Sequence, residues 1–259
     1  MTTLSFTRDV SDSAGVPWKG RRLEHGSGSD DDGSAPEELL EAIRRFRVGE
    51  LGESDVVEVL RDARLLIPLV AVAGEVGTND QGTTVDKSQE LSIVTVEGPD
   101  GRSVLPAFTS VDAMALWNAR ARPVPATAGR VALAAASENT DLVVIDPTSP
   151  TEFVVRRPAL WALAQSRSWR PSYLDTEVLS AFMDAAELES AVAAVQLAPG
   201  DPGARLAGPE LIVQLSLVPG LDQHELEAVV QRLQSRWAAD EVIAARVDSL
   251  VLQLVSAAE

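Results

Sequence analysis

Apolar positions in this chain recur with two periods, and the change of period marks the elements. Leu39, Leu40, Ile43 and Phe46 lie three and four residues apart, the spacing of one helix face. Ser34-Ala-Pro36-Glu37 ahead of them reads as a capping box with proline in the first turn, and Gly49 as the stop. A second short helix is predicted over 54–62, with Val56, Val57 and Leu60 inward. Leu65 to Val72 is a short apolar run that suits a buried strand. Pro68 within it cannot donate a ladder bond, which predicts an edge strand or a bulge. A polar loop follows over 74–88. Leu91 to Glu97 is the next strand, Gly98-Pro-Asp-Gly101 a hairpin turn, and Val104 to Phe108 its partner. Ser110 caps a helix reaching Trp117, and Arg122-Pro-Val-Pro125 is an extended connector. Ala126 to Ser137 is helical. Leu142 to Ile145 and Phe153 to Val155 are strands, and a short helix with Leu160, Trp161 and Leu163 ends the first unit.

The second unit begins after Pro171. Val178, Leu179, Phe182, Met183 and Ala186 form a helical stripe, and Ala191 to Leu197 is a strand. Leu211, Val213, Leu215 and Leu217 alternate with Ile212, Gln214 and Ser216, the pattern of a half-buried strand. Asp222 with Glu225 is the best helix start in the chain, and Leu221 can staple onto Leu226. Leu250, Leu252 and Leu254 alternate again in a last strand. The fold class is therefore α+β. A mixed sheet with packed helices is followed by a smaller α-β-β-α-β sandwich. The expected boundaries are a flexible arm over 1–35, a first domain over 36–165 and a second over 172–259. Trp18, in Val16-Pro17-Trp18, would pack the arm onto a domain.

Composition narrows the chemistry. The 259 residues include no cysteine, which excludes disulfides, Cys-ligated zinc, iron–sulfur clusters and a Cys nucleophile. The net charge is −17, which argues against binding a nucleic-acid backbone. Counted along the chain, 1–64 carry about −5, 65–160 about −4 and 161–259 about −8, so a basic protein partner would be sought on the second unit. The histidines are His25, in the arm, and His224, near a helix start. Neither completes a Ser-His-Asp set, and no Gly-x-Ser-x-Gly elbow or phosphate-binding loop is present. The Asp30-Asp31-Asp32-Gly33 run lacks the ligand spacing of a calcium loop. Arg156-Arg157 with Trp161, Arg167, Trp169 and Arg170 is the nearest approach to a nucleic-acid surface. It reads better as an interdomain segment with its tryptophans inward. No signal peptide and no apolar run near twenty residues is found, so a cytoplasmic location is expected.

Three segments in order resemble one family. They are Leu65-Leu-Ile-Pro-Leu-Val, then Val104-Leu-Pro-Ala-Phe-Thr-Ser110 leading to Trp117 and Arg122-Pro-Val-Pro125, then Leu142-Val-Val-Ile-Asp-Pro147 with Phe153 and Val154. This pattern resembles the SseB family, the enhanced-serine-sensitivity proteins, in its high-GC Gram-positive branch. The likeness covers residues 36–165 and extends more loosely over 172–256. It implies a link to serine sensitivity but no settled reaction and no catalytic set. What it transfers is a common region of Phe108, Thr109, Ser110, Trp117 and Arg122, a candidate partner or ligand surface. The expectation is a non-enzymatic interaction or regulatory protein with no cofactor and no catalytic or metal-binding residues. The alternative is a sensor that binds an amino acid between the domains or near Arg122.

Overall fold

The first helix, α1 (Glu37–Arg47), buries Leu39 and Ile43 of the predicted face and adds Ala42, while Leu40 and Phe46 are half-buried. This computed structural model describes residues 31–72, 77–78, 84–85 and 90–256. Most of the arm, with Trp18 and His25, lies outside that range, as does most of the polar loop over 74–88. The capping box at Ser34 does not form. Pro36 is the N-cap and no side chain caps the helix. Glu37 and Glu38 in the first turn and Arg44, Arg45 and Arg47 in the last complement the helix dipole instead. α2 (Glu53–Asp62) buries Val56, Val57 and Leu60, with Asp55 reaching back to the Gly52 N–H at 2.8 Å.

β1 (Arg64–Val72) corrects the edge-strand expectation, because it is the middle strand of a sheet ordered β4-β1-β7. The two-stranded pair β2 (Gly77–Thr78) and β3 (Thr84–Val85) follows it. β4 (Glu90–Ile93) pairs with β1 from Leu69 onward. Leu66 exchanges backbone bonds with Phe108 on that same side, at 2.8 and 2.9 Å. Pro68 therefore falls in the gap between the Phe108 bridge and the β4 ladder, where its missing N–H costs no bond.

The strand predicted over 91–97 is two strands. β4 pairs with β1, whereas β5 (Val96–Glu97) forms the hairpin with β6 (Ser103–Ala107). The chain thus passes from one sheet to the other. After α3 (Val111–Trp117), the proline-rich connector proves to be a strand, β7 (Arg122–Thr127), antiparallel to β1. Its two prolines suit an edge position. α4 (Ala128–Ser137), β8 (Leu142–Ile145), β9 (Phe153–Arg156) and α5 (Arg157–Ala164) complete this part. The second sheet runs β5-β6-β8-β9, with β6 and β8 parallel. All four side chains of β8 and all four of β9 are buried, as an enclosed strand requires.

A 3₁₀ turn at Ser172–Leu174 leads into α6 (Thr176–Glu187), β10 (Val192–Pro199) and β11 (Leu211–Leu217). α7 (Gln223–Ala239) and the short α8 (Glu241–Arg246) then cross over to β12 (Leu250–Ser256). The predicted α-β-β-α-β order is present with α8 added. The sheet runs β10-β11-β12, with β11 and β12 parallel. Leu211, Val213 and Leu215 are buried beneath the helices with Phe182, Leu233 and Trp237, and the rings of Phe182 and Trp237 meet at 5.1 Å. Two inward assignments fail. Met183 and Trp161 are each 45% exposed, and Trp161 carries the Arg157 guanidinium over its ring.

The Asp222–Glu225 capping box is complete, with reciprocal bonds of 2.8 and 3.0 Å. Asp222→Ala is expected to cost about 1 kcal/mol in urea unfolding. An unchanged midpoint would show that α7 is held by packing alone.

Candidate functional site

The region named by the family resemblance is a packed corner. Phe108 follows β6, is fully buried and meets the Trp117 ring at 5.3 Å. Thr109 is buried, and both its N–H and its hydroxyl donate to the Asp146 carboxylate, at 2.8 and 2.7 Å. The Ser110 hydroxyl accepts from the Ala113 N–H at 3.0 Å and so caps α3. Arg122 opens β7 and is exposed. Phe108 and Trp117 thus share one apolar contact, Thr109 and Ser110 fix the entry to α3, and Arg122 lies exposed at the start of β7.

A larger polar assembly joins the parts before and after residue 170, and sequence reasoning missed it. Arg156, the last residue of β9, is 6% exposed. Its guanidinium donates to Asp201 at 2.8 Å, to Asp248 and the Ser249 hydroxyl at 3.1 and 3.3 Å, and to the Gly208 carbonyl at 2.9 Å. Arg102, from the hairpin, adds a two-pronged pair to Asp248 at 3.1 Å. Asp201 also accepts from the N–H groups of Arg205 and Leu206, which shapes the loop between β10 and β11. That loop plugs into the first part. The Ala204 carbonyl accepts from the Val154 N–H at 2.9 Å, and Leu206 is buried among Val104, Leu142, Val144 and Val154. Gly200 is required here, because a side chain would collide with the Pro209 carbonyl.

Beside this joint lies a cluster of acids. Glu53 opens α2 and accepts from the Tyr173 hydroxyl at 3.3 Å. Glu210 accepts from the Ser172 hydroxyl at 2.7 Å and the Asp248 N–H at 2.6 Å. Burial, aided by the charge of Glu210, pushes Glu53 up to about 7. Burial also raises Glu210. The cavity between Glu53, Glu210, Arg156 and Trp169 is only about 10 Å³. That is room for about one water molecule and for no substrate. The buried Trp169 Nε1 faces no protein acceptor. A wider cleft of about 830 Å³ opens beside Asp100, Arg102, Arg205 and Asp248. Two of its charged groups, Arg102 and Asp248, already pair with each other. An amino-acid ligand would have to displace an internal partner from either.

The third arrangement is a bare sheet face. Register places Ala194, Gln196 and Ala198 of β10 beside Ser216, Gln214 and Ile212 of β11, and these beside Val255, Gln253 and Val251 of β12. These nine side chains point away from the buried face, and none of them is buried. Not one is charged, although the chain carries −17. The three glutamines make a row across the sheet, with the Gln214 amide donating to Gln253 at 3.0 Å.

Among the described residues, no helix is long and apolar enough to cross a membrane, and no cluster of three or more His, Asp and Glu is placed to hold a metal ion. The architecture is that of an α+β protein whose two parts are locked by an arginine–carboxylate joint. Residues 37–162 match the model of the SseB protein N-terminal domain, so this part of the chain carries the domain of the SseB family. The match ends before the 3₁₀ turn, so α6 to β12 lie outside it. No curated protein and no solved structure matches the chain.

Proposed function

We propose that this SseB-domain protein is a non-enzymatic interaction or regulatory protein of the cytoplasm, linked to serine sensitivity. Its working surface is the bare face of the β10-β11-β12 sheet. The observation that carries this reading is the nine-residue face without a charge on a strongly acidic chain. Solvated sheet faces ordinarily carry charged side chains, and an uncharged one is suited to being covered. The reading without a reaction draws support from the acids at the joint, which surround space for a single water. The partner is better sought by apolar and amide chemistry than by positive charge, since part of the acidity of the second half is already matched by Arg102 and Arg156.

The test is complementation of a strain lacking the protein, grown with excess serine. The native chain should restore serine tolerance, and the double variant Gln196→Glu/Gln214→Glu should fail while accumulating normally. Full rescue by the double variant would remove the face from the function. A deletion strain with unaltered serine tolerance would remove the link to serine.

A further inference from the structure

The outer edge of β12 is a second feature of the same sheet, and it points to a specific partner. β12 reads Leu250-Val-Leu-Gln-Leu-Val-Ser256, seven residues without charge, proline or glycine. Among the described residues no strand pairs with its outer side. Proteins ordinarily guard such edges with lysine, proline or a bulge. The opposite edge follows that rule, since β10 has an irregularity between Val192 and Ala194 and ends in Pro199. β12 has neither device, and Leu250, Val251 and Leu254 are 37%, 45% and 41% exposed.

We infer that β12 pairs antiparallel with β12 of a second copy of this chain, giving a twofold dimer with a continuous six-stranded sheet. Two observations select this occupant. The first is charge. Copies that each carry −17 repel one another over most of their surface, and the uncharged β12 edge lets them meet without like charges. The second is register. The Leu211 N–H donates to the Ser249 carbonyl, so the odd-numbered positions of this strand aim their backbone groups at β11. The N–H and C=O groups of Leu250, Leu252 and Leu254 are left for the outer edge. With a twofold axis at Gln253, Leu252 faces the partner's Leu254 and Leu250 faces the partner's Ser256, all in hydrogen-bonding positions. Val251 meets the partner's Val255, and Gln253 meets the partner's Gln253. The alternation of faces is kept, as an antiparallel pair requires. The glutamine row then runs unbroken through Gln196, Gln214 and Gln253 of both copies. An apolar hollow of about 290 Å³ beside the strand start, lined by Trp237, Ile243, Val247 and Leu250, lies next to the new seam. This inference uses the sheet proposed as the working surface but needs only its edge, so it stands or falls separately from the link to serine.

The absence of cysteine makes the test clean. Residues facing each other in a non-hydrogen-bonded antiparallel pair have Cα atoms about 4.5 Å apart, within the range a disulfide spans. Gln253→Cys, treated with a mild thiol oxidant, should give a covalent dimer, while Gln196→Cys on the far edge should not. Sedimentation of the native chain from about 1 μM to about 1 mM, which covers weak affinities, should show a concentration-dependent dimer. Leu254→Pro removes an outward N–H and spares the β11 ladder, and Leu254→Lys places a charge at the seam. Both should sediment as monomers. If one variant misfolds by circular dichroism, the other carries the comparison. A native chain that stays monomeric throughout, equal cross-linking at residues 196 and 253, or a dimer that survives in the folded Leu254 variants would each overturn the inference.

Discussion

Replacing Glu53 with glutamine is expected to stabilise the protein by about 2 kcal/mol at pH 8 and to change little near pH 4. The carboxyl ionises near 4.5 in the unfolded chain and at about 7 in the fold, raised by burial and by Glu210. Between these values the native state holds a proton that the unfolded state has released, so stability falls as pH rises through the window. The full shift corresponds to about 3 kcal/mol above pH 7. Glutamine removes that penalty but gives up a favourable charge at the first turn of α2, which trims the gain. Urea unfolding at pH 4, 6 and 8 reads the difference between the two proteins, and other titrating groups largely cancel in it. Parallel stability curves at all three values would show that Glu53 is well solvated.

Arg156→Met should have the largest effect of any single change at the joint. The methionine fills similar space, but Asp201 and Asp248 lose a shared guanidinium while remaining 3% and 2% exposed. Asp248 keeps its pair with Arg102, but Asp201 is left without a cation. Removing one partner of a buried ion pair costs about 3–5 kcal/mol, because the carboxylate left behind is neither solvated nor paired. The loop carrying Ala204 and Leu206 is anchored by the same carboxylate, so it should loosen with it. Hydrogen exchange at the Val154 and Leu206 amides should accelerate. Adding Asp201→Asn should recover part of the loss, since the pair is then removed together. A loss below about 1 kcal/mol, the range of exposed pairs, would mean that water reaches the site.

These two sites were not legible in the sequence. Arg156 drew notice only as half of an Arg-Arg pair beside tryptophans. Asp201 sat in a proline–glycine loop with nothing to separate it from a solvated turn. Glu53 was one acid among 39. The excess acidity of residues 161–259 was visible, but not that Arg102 and Arg156 of the same chain take up part of it. Each misread strand also turned on a partner. Pro68 argued for an edge only until the Phe108 bridge supplied a gap in the ladder. The Arg122-Pro-Val-Pro125 connector became β7 because β1 lay beside it.

What the sequence determined by itself was local. Helix faces, the Asp222–Glu225 cap, the hairpin turn and the alternation in β11 depend on residues within a few positions of one another, and the two backbone periods record them. Tertiary structure decided what lies far apart in the chain. Arg156 meets Asp201 and Asp248 across 45 and 92 positions, and Gln214 meets Gln253 across 39. A charge or an amide carries no mark of its distant partner. The buried joint and the uncharged face therefore exist only once strand order and register bring those positions together.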